Sequence, residues 1–264
     1  MWTANYDQYE NYLKNVINQD IDIMTFKSNT FYNGVLEHVS KSQGEDYLFE
    51  IQNRFSLIYN THINYLKDIC HQNDLYGFPL KFHFNGFTYC SPTNLRYILH
   101  SLLILTFMKD NMLNDIDIIE IGGGYGGLCF FLYNLSSIFN ININSYSLFD
   151  LPYPLLLQEK YLKKLNINTA NFVDFNNIQN LKKNSFLISN YAFSELTMKL
   201  QILYTNNVLN PYTSFGFLVW NNKHLYRFID DKYVTIEPEF PTTNLNLDNP
   251  NKFIRFRPMN NLDI

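Results

Sequence analysis

Residues 116–127 read Ile116-Asp-Ile-Ile-Glu-Ile-Gly-Gly-Gly-Tyr-Gly-Gly127. The isoleucines at 116, 118, 119 and 121 make a short β-branched run, the pattern of a buried strand. It leads straight into Gly122, Gly124 and Gly126, and then into a helical stretch carrying Leu128, Phe131, Leu132 and Leu135. Glycine lets the backbone adopt positive φ and approach a ligand closely. In a doubly wound sheet such a turn lies at the carboxyl end of its strand, where ligands bind. Strand, glycine turn and helix in this order predict a nucleotide-like cofactor.

Two cofactor classes fit the glycines. Gly122, Gly124 and Gly127 satisfy the G-x-G-x-x-G spacing of dinucleotide folds, with Asp150 further along the chain. Glu120 argues for S-adenosylmethionine instead. A carboxylate two residues ahead of the first glycine attracts a cofactor with a cationic amino-acid end and repels a pyrophosphate. The motif also lies mid-chain behind a helical region, whereas a dinucleotide fold more often opens with it. Tyr125, inside the turn, is expected to line the same site. Asp150 closes Tyr146-Ser-Leu-Phe-Asp150-Leu-Pro152 and is placed to accept both ribose hydroxyls, with Leu151 beside it; its bland role is a turn before Pro152. Asp174 and Phe175, in Asn171-Phe-Val-Asp-Phe175, suit the adenine amino group and ring, although Asp174 equally suits an Asx-turn into Asn176-Asn177.

Outward from the motif, β-rich runs at 116–121, 145–149, 170–173, 186–189 and 215–220 alternate with helical stretches at 126–139, 154–165, 194–209 and about 223–229. Such alternation predicts parallel βαβ units. Runs at 233–236 and 253–257, joined by a polar loop, predict an antiparallel hairpin. The expected fold is α/β, a Rossmann-like sheet of seven strands ending in that hairpin. Residues 1–110 read as helical, with helices at 6–18, 26–40 and one continuous face through 46–68, then a non-helical segment 77–90. Ser91-Pro92 reads as an N-cap and first helical residue, opening a helix to about Lys109. The organisation expected is a helical cap (1–110), serving substrate or a homodimer contact, and a cofactor-binding domain (111–264).

Composition narrows the classes. Of 264 residues, 20 are Lys or Arg and 24 Asp or Glu, a net charge of −4 that argues against a broad basic nucleic-acid face. The chain holds 37 Asn, 23 Phe and 20 Tyr against 3 Ala, the drift of an A/T-rich coding genome, so a single Asn or Tyr is weak evidence of a site. Cys70, Cys90 and Cys129 lack metal-ligand spacing and suit a reducing, cytoplasmic compartment. The start lacks a basic stretch followed by an apolar run, and the longest apolar stretch, 98–108, is too short to span a bilayer. No metal and no membrane contact are expected.

Three strings carry a family resemblance: Ile119-Glu-Ile-Gly-Gly-Gly-Tyr-Gly-Gly127, Phe149-Asp-Leu-Pro152 with Leu157-Gln-Glu-Lys-Tyr-Leu162, and Ser189-Asn-Tyr-Ala-Phe-Ser-Glu-Leu196. They resemble the sugar O-methyltransferases, within the class I S-adenosylmethionine-dependent methyltransferases. Ser91-Pro-Thr-Asn-Leu-Arg-Tyr97 is similar to that family's entry helix. The resemblance covers residues 90 to 222. It implies methyl transfer to a sugar hydroxyl, on a glycan or a nucleotide-activated sugar.

A sugar hydroxyl needs a base as its oxygen forms the new bond. That base is expected near the ends of the fourth and fifth strands. Glu195 is the first candidate, against a helix-start carboxylate with Ser194 as N-cap. His224 is the second, against a structural histidine on an amphipathic helix. Ser189 and Asn190 are expected to line the cofactor, and Asn221 to orient the sugar. Arg96 suits a sugar-nucleotide phosphate or, more plainly, a helix surface. The rival readings are a nicotinamide-dependent dehydrogenase or epimerase of sugar nucleotides, and a methyltransferase fold kept as a non-catalytic subunit.

Overall fold

The computed structural model describes residues 6–17, 23–243 and 248–259. Asn18, expected to end the first helix, lies outside them. The chain groups into two compact units: Met1–Met112 with Gly124–Asn140 and Leu151–Asn168, and Leu113–Gly123 with Ile141–Asp150 and Thr169–Ile264.

The first unit is helical. It holds α1 (Tyr6–Ile17), α2 (Thr30–Asn33), α3 (Lys41–Arg54), α4 (Ser56–Asn73), a small hairpin of β1 (Phe82–His83) and β2 (Tyr89–Cys90), then α5 (Pro92–Asp110), α6 (Gly127–Ser136) and α7 (Pro152–Lys164). α5 is buried on every side, through Leu95, Ile98, Leu99, Leu102 and Ile104 and also through the polar Asn94, Arg96, His100 and Ser101. Two expected helices are corrected. Segment 26–40 is not one helix. Asn29 accepts from the Phe31 and Tyr32 amides to start a single turn, which ends at Gly34, and Ser40 opens α3 through a capping box with Gln43. The stretch 46–68 is broken at Phe55 (φ −120, ψ 34) into α3 and α4. Ser91 does not cap α5 with its side chain; its Oγ and amide both donate to Asp74, each at 2.7 Å.

The helical interior is polar at one point. Lys27 is fully buried, its Nζ 4.1 Å from the Tyr125 ring centroid and donating to the Asn73 carbonyl at 3.1 Å. Asn73 also donates to Asn94 (2.6 Å) and to Tyr125 Oη (3.1 Å). Glu37 accepts from Thr93 Oγ1 at 2.9 Å. Burial pushes the Lys27 ammonium down, against the charges of Glu37 and Asp74. The same desolvation pushes the Glu37 carboxyl up, against Lys27.

The second unit is built on the sheet: β3 (Asp115–Ile121), β4 (Asn142–Phe149), β5 (Ala170–Val173), β6 (Ser185–Asn190), β7 (Thr213–Trp220), β8 (Lys232–Pro238) and β9 (Lys252–Pro258). Their order is β5-β4-β3-β6-β7-β9-β8. The first five are parallel, and β9 runs antiparallel between β7 and β8. This is the expected Rossmann-like seven-stranded sheet with its C-terminal antiparallel hairpin. The stretch read as one helix at 194–209 is α8 (Ala192–Glu195), α9 (Met198–Tyr204), a π turn (Thr205–Leu209) and α10 (Asn210–Tyr212). These pack Phe193, Val208 and Leu209 onto Ile119, Leu187 and Leu218 of the sheet. The helix expected at 223–229 is absent. Trp220 stacks on Phe228 at 5.3 Å, and Phe228 and Ile229 join the core from an irregular segment, so tertiary packing overrides the local pattern.

The buried charges of the helical unit generate a prediction. Lys27→Met removes the cation facing Glu37 and Asp74, and is expected to lower unfolding free energy by about 3 kcal/mol in urea titrations. The loss should be larger at pH 8 than at pH 5, because burial pushes the Glu37 carboxyl up and favours its neutral form as the pH falls. Adding Glu37→Gln should restore part of it. Equal losses at both pH values would contradict the arrangement.

Candidate functional site

The five parallel strands end at one edge of the sheet. In lateral order, the residues at or just past those ends are Asp174, Asp150, Gly122, Asn190 and Asn221. Asp174, Asp150, Gly122 and Asn190, spread along the sequence, thus become neighbours along the edge where doubly wound sheets bind ligands, with Asn221 beyond them.

Gly122 is fixed by two constraints. Its φ is +77, and a Cβ placed on it would stand 2.1 Å from the Ala192 Cβ. Its amide donates to the Phe149 carbonyl at 2.8 Å, so the turn leaves β3 tied to the end of β4. Two residues earlier, in β3, Glu120 is buried and accepts from Tyr146 Oη at 2.7 Å. Burial raises its carboxyl to about 7, Asp150 adds to the rise, and the Tyr146 hydrogen bond opposes it. The group therefore changes charge near neutral pH.

Ser189 Oγ donates to the Ile121 carbonyl (2.8 Å) and accepts from the Phe193 amide (3.0 Å), stitching β6 to β3 and holding the start of α8. Beyond Asn190, Tyr191 sits at φ +66 with its amide on the Val219 carbonyl at 2.8 Å. The structure brings Glu195 and Asn221 together: Asn221 Nδ2 donates to Glu195 Oε1 at 2.7 Å, and the Asn221 amide donates to Ser194 Oγ at 3.1 Å. Ser194 is not an N-cap; that position of α8 belongs to Tyr191, and Ser194 Oγ donates to the Tyr191 carbonyl at 2.9 Å. Glu195 is exposed. His224 is exposed in an irregular loop, not on the amphipathic helix expected for it.

Asp174 is exposed and accepts from the Asn176 amide at 2.8 Å, the Asx-turn that its sequence allowed. Phe175 is half-buried, 4.7 Å between centroids from Tyr204. Tyr204 was not legible from the sequence, where tyrosines are everywhere. Burial, with the charge of Asp150, pushes its phenol up to about 12. Tyr146 was missed for the same reason. So was Glu239, a buried carboxylate accepting from Tyr191 Oη, Thr243 Oγ1 and, at 2.9 Å, Asn251 Nδ2.

The remaining expected residues belong to the helical unit. Gly124 (φ +61) and Gly126 (φ +92) keep the positive φ that glycine allows, and Leu151 is exposed ahead of α7. The Tyr125 ring is committed to the interior, among Phe26, Tyr97 and Tyr161. Arg96 is buried, not a surface residue, and its Nη2 donates to the Leu36 carbonyl at 3.3 Å. Among the described residues, no group of three or more His, Cys, Asp and Glu could hold a metal ion, and no helix is long and apolar enough to cross a membrane.

Glu120 makes a stability prediction. Its folded pKa lies above its unfolded one, so the native state binds the extra proton and stability falls as pH rises from about 4.5 to about 7. The fall amounts to roughly 3 kcal/mol. Glu120→Gln keeps a carbonyl acceptor for Tyr146 and removes the charge. The variant should melt higher than wild type at pH 8 and nearly with it at pH 4. Calorimetry at both pH values checks this, and a variant less stable at pH 8 would contradict it.

No family model and no curated protein matches the chain. Among solved structures, several align with part of the chain. A precorrin-6y C5,15-methyltransferase from Geobacter metallireducens is 12% identical, over 60% of this chain and 86% of that one, with a TM-score of 0.41. A methyltransferase of Podospora anserina, PaMTH1, solved with SAH bound, is 11% identical over 61% and 79%, also at 0.41. A candidate sarcosine dimethylglycine methyltransferase of Galdieria sulphuraria is 18% identical over 48% of this chain, at a TM-score of 0.37. The match spans 47% of that protein's length.

Proposed function

We propose that this chain is an S-adenosylmethionine-dependent methyltransferase acting on a sugar hydroxyl, of a glycan or a nucleotide-activated sugar. The observation that carries the reading is Glu120. It is a buried carboxylate near the end of β3, the middle one of the five parallel strands, two residues before a turn that tolerates no side chain at Gly122. The residues present fit that cofactor. Ionised Glu120 suits a cationic α-amino group, and Asp150 suits a ribose diol. Bound there, S-adenosylmethionine supplies an electrophilic methyl group on a sulfonium.

The dinucleotide reading is disfavoured by two features. A dinucleotide sheet orders its strands 3-2-1-4-5-6. Here the seventh strand is inserted antiparallel between the fifth and the sixth. A buried carboxylate beside the turn would also repel a diphosphate.

The chain's own contribution to catalysis lies in positioning and in one proton. Glu195, held at Oε1 by Asn221 Nδ2, takes the acceptor's hydroxyl proton. Asn221 fixes the carboxylate's orientation, which His224 lacks in its exposed loop. Holding the hydroxyl oxygen in line supplies much of the remaining acceleration. The sugar as acceptor rests on the likeness of Asp150-Leu-Pro152 and Ser189–Leu196 to the sugar O-methyltransferases. The position of Glu195 favours an enzyme over a non-catalytic subunit.

Two measurements test this. S-adenosylhomocysteine at a hundred times its Kd should stabilise the fold by about 2.7 kcal/mol in thermal shift, and NAD should not. Labelled methyl donor offered with a panel of nucleotide sugars should label one of them, and Glu195→Gln should slow that transfer about a hundredfold or more. Stabilisation by NAD alone would reverse the assignment.

A further inference from the structure

We propose that Glu239 is a positioning residue for the transfer step, acting through Tyr191 to aim Asn221 and the Glu195 carboxylate. The inference rests on the function proposed above and goes beyond it, because that reading takes the orientation of Asn221 as given. Glu239 lies far along the chain from Glu195, yet the sheet brings it to the same edge. β7 and β8 are both antiparallel to β9 and so run the same way, and their last residues, Trp220 and Pro238, both pair with Lys252. Glu239 therefore leaves the sheet where the five parallel strands end. It is buried, and its amide donates to the Asn251 carbonyl at 2.8 Å. Its carboxylate accepts from Tyr191 Oη, from Thr243 Oγ1 and, at 2.9 Å, from Asn251 Nδ2. Three donors from separate positions in the chain fix that carboxylate in place.

Tyr191 is the link. Its φ of +66 crowds the side chain against the backbone, so the conformation persists only where the surroundings hold it. It is held at two points: the amide donates to the Val219 carbonyl at 2.8 Å, and the ring hydroxyl reaches Glu239. The held conformation sets the direction of the Tyr191 carbonyl, which accepts from Ser194 Oγ at 2.9 Å and from Asn221 Nδ2 at 3.3 Å. A side-chain amide nitrogen carries two hydrogens. Asn221 places one on the Tyr191 carbonyl and the other on Glu195 Oε1, at 2.7 Å. Turning that carbonyl therefore turns the amide and leaves Glu195 without its guide. Removing either the Tyr191 hydroxyl or the Glu239 carboxylate frees the ring end of a strained residue. The strands around it stay paired through their own backbones.

The test is steady-state methyl transfer to whichever nucleotide sugar the panel labels, with calorimetric binding of S-adenosylhomocysteine alongside. Tyr191→Phe removes one oxygen, and the amide of Glu239→Gln cannot accept from three donors. Each should lower kcat about tenfold or more and leave the acceptor KM and the S-adenosylhomocysteine Kd within about twofold of wild type. In a Glu195→Gln background neither change should lower kcat further, because groups acting as a unit are not additive. Thr213→Val removes a buried hydroxyl that donates to the Leu209 carbonyl at 2.7 Å, at the opposite end of β7, and should keep the wild-type kcat. Near-ultraviolet circular dichroism confirms that each variant is folded; should Glu239→Gln fold poorly, Tyr191→Phe decides alone. An equal loss in Thr213→Val, a loss seen in KM instead of kcat, or full additivity with Glu195→Gln would overturn the proposal while leaving the methyl-transfer reading intact. Full activity of Glu195→Gln, or a panel in which wild type labels no sugar, would overturn both this proposal and the reading beneath it.

Discussion

A carboxylate kept out of water near the end of β3 is the constraint around which the sheet's ligand edge is arranged. Desolvation disfavours the ionised Glu120, and Tyr146 offsets only part of that. Folding alone would be better served by an amide or an apolar residue. Every neighbouring device keeps the position usable. Gly122 turns the chain without a side chain, Ser189 locks β6 against β3, and Tyr191 accepts an unfavourable backbone conformation to redirect the chain.

Much of this edge was legible in the sequence, and the reason is periodicity. Parallel strands buried on both faces read as short apolar runs, and 116–121 and 186–189 announced themselves within a residue or two. The carboxyl-edge acids followed because each sits one residue past a run. The antiparallel hairpin was legible because no helical pattern separates its two strands. Failures arose where side chains decide the backbone. The break at Phe55 leaves the apolar spacing of 46–68 undisturbed, so two helices read as one. The segment 223–229 looked helical because its apolar residues recur, yet they face the core from an irregular chain. Tyr146, Tyr204 and Glu239 could not be singled out, since their meaning lies in partners far away in sequence and their residue types are either ubiquitous or isolated here.

The helical unit shows the same logic in another register. Its interior is mostly aliphatic and aromatic, but Lys27, Glu37, Asp74 and Arg96 bring ionisable groups into or beside it. Each has a polar partner: a carbonyl for Lys27, Thr93 for Glu37, Ser91 for Asp74, Leu36 for Arg96. Buried charges of this kind contribute less to net stability than to uniqueness, because few alternative packings satisfy all of them. The Tyr125 ring, inserted into that network by Lys27 and Asn73, ties the residue after Gly124 to a single position.

The wide turn after α9 carries a consequence for insertions and deletions. A π turn holds one residue more than the α turn it replaces, and each residue of a helix advances it by about 100°. Losing any single residue from 205–209 would tighten the turn between α9 and Pro211 towards α geometry, with β7 anchoring the far end in the sheet. The misfit would then be absorbed at α9, swinging residue 204 about a quarter-turn around the axis. Sequence length in this stretch, more than side-chain identity, sets which way its aromatic ring looks.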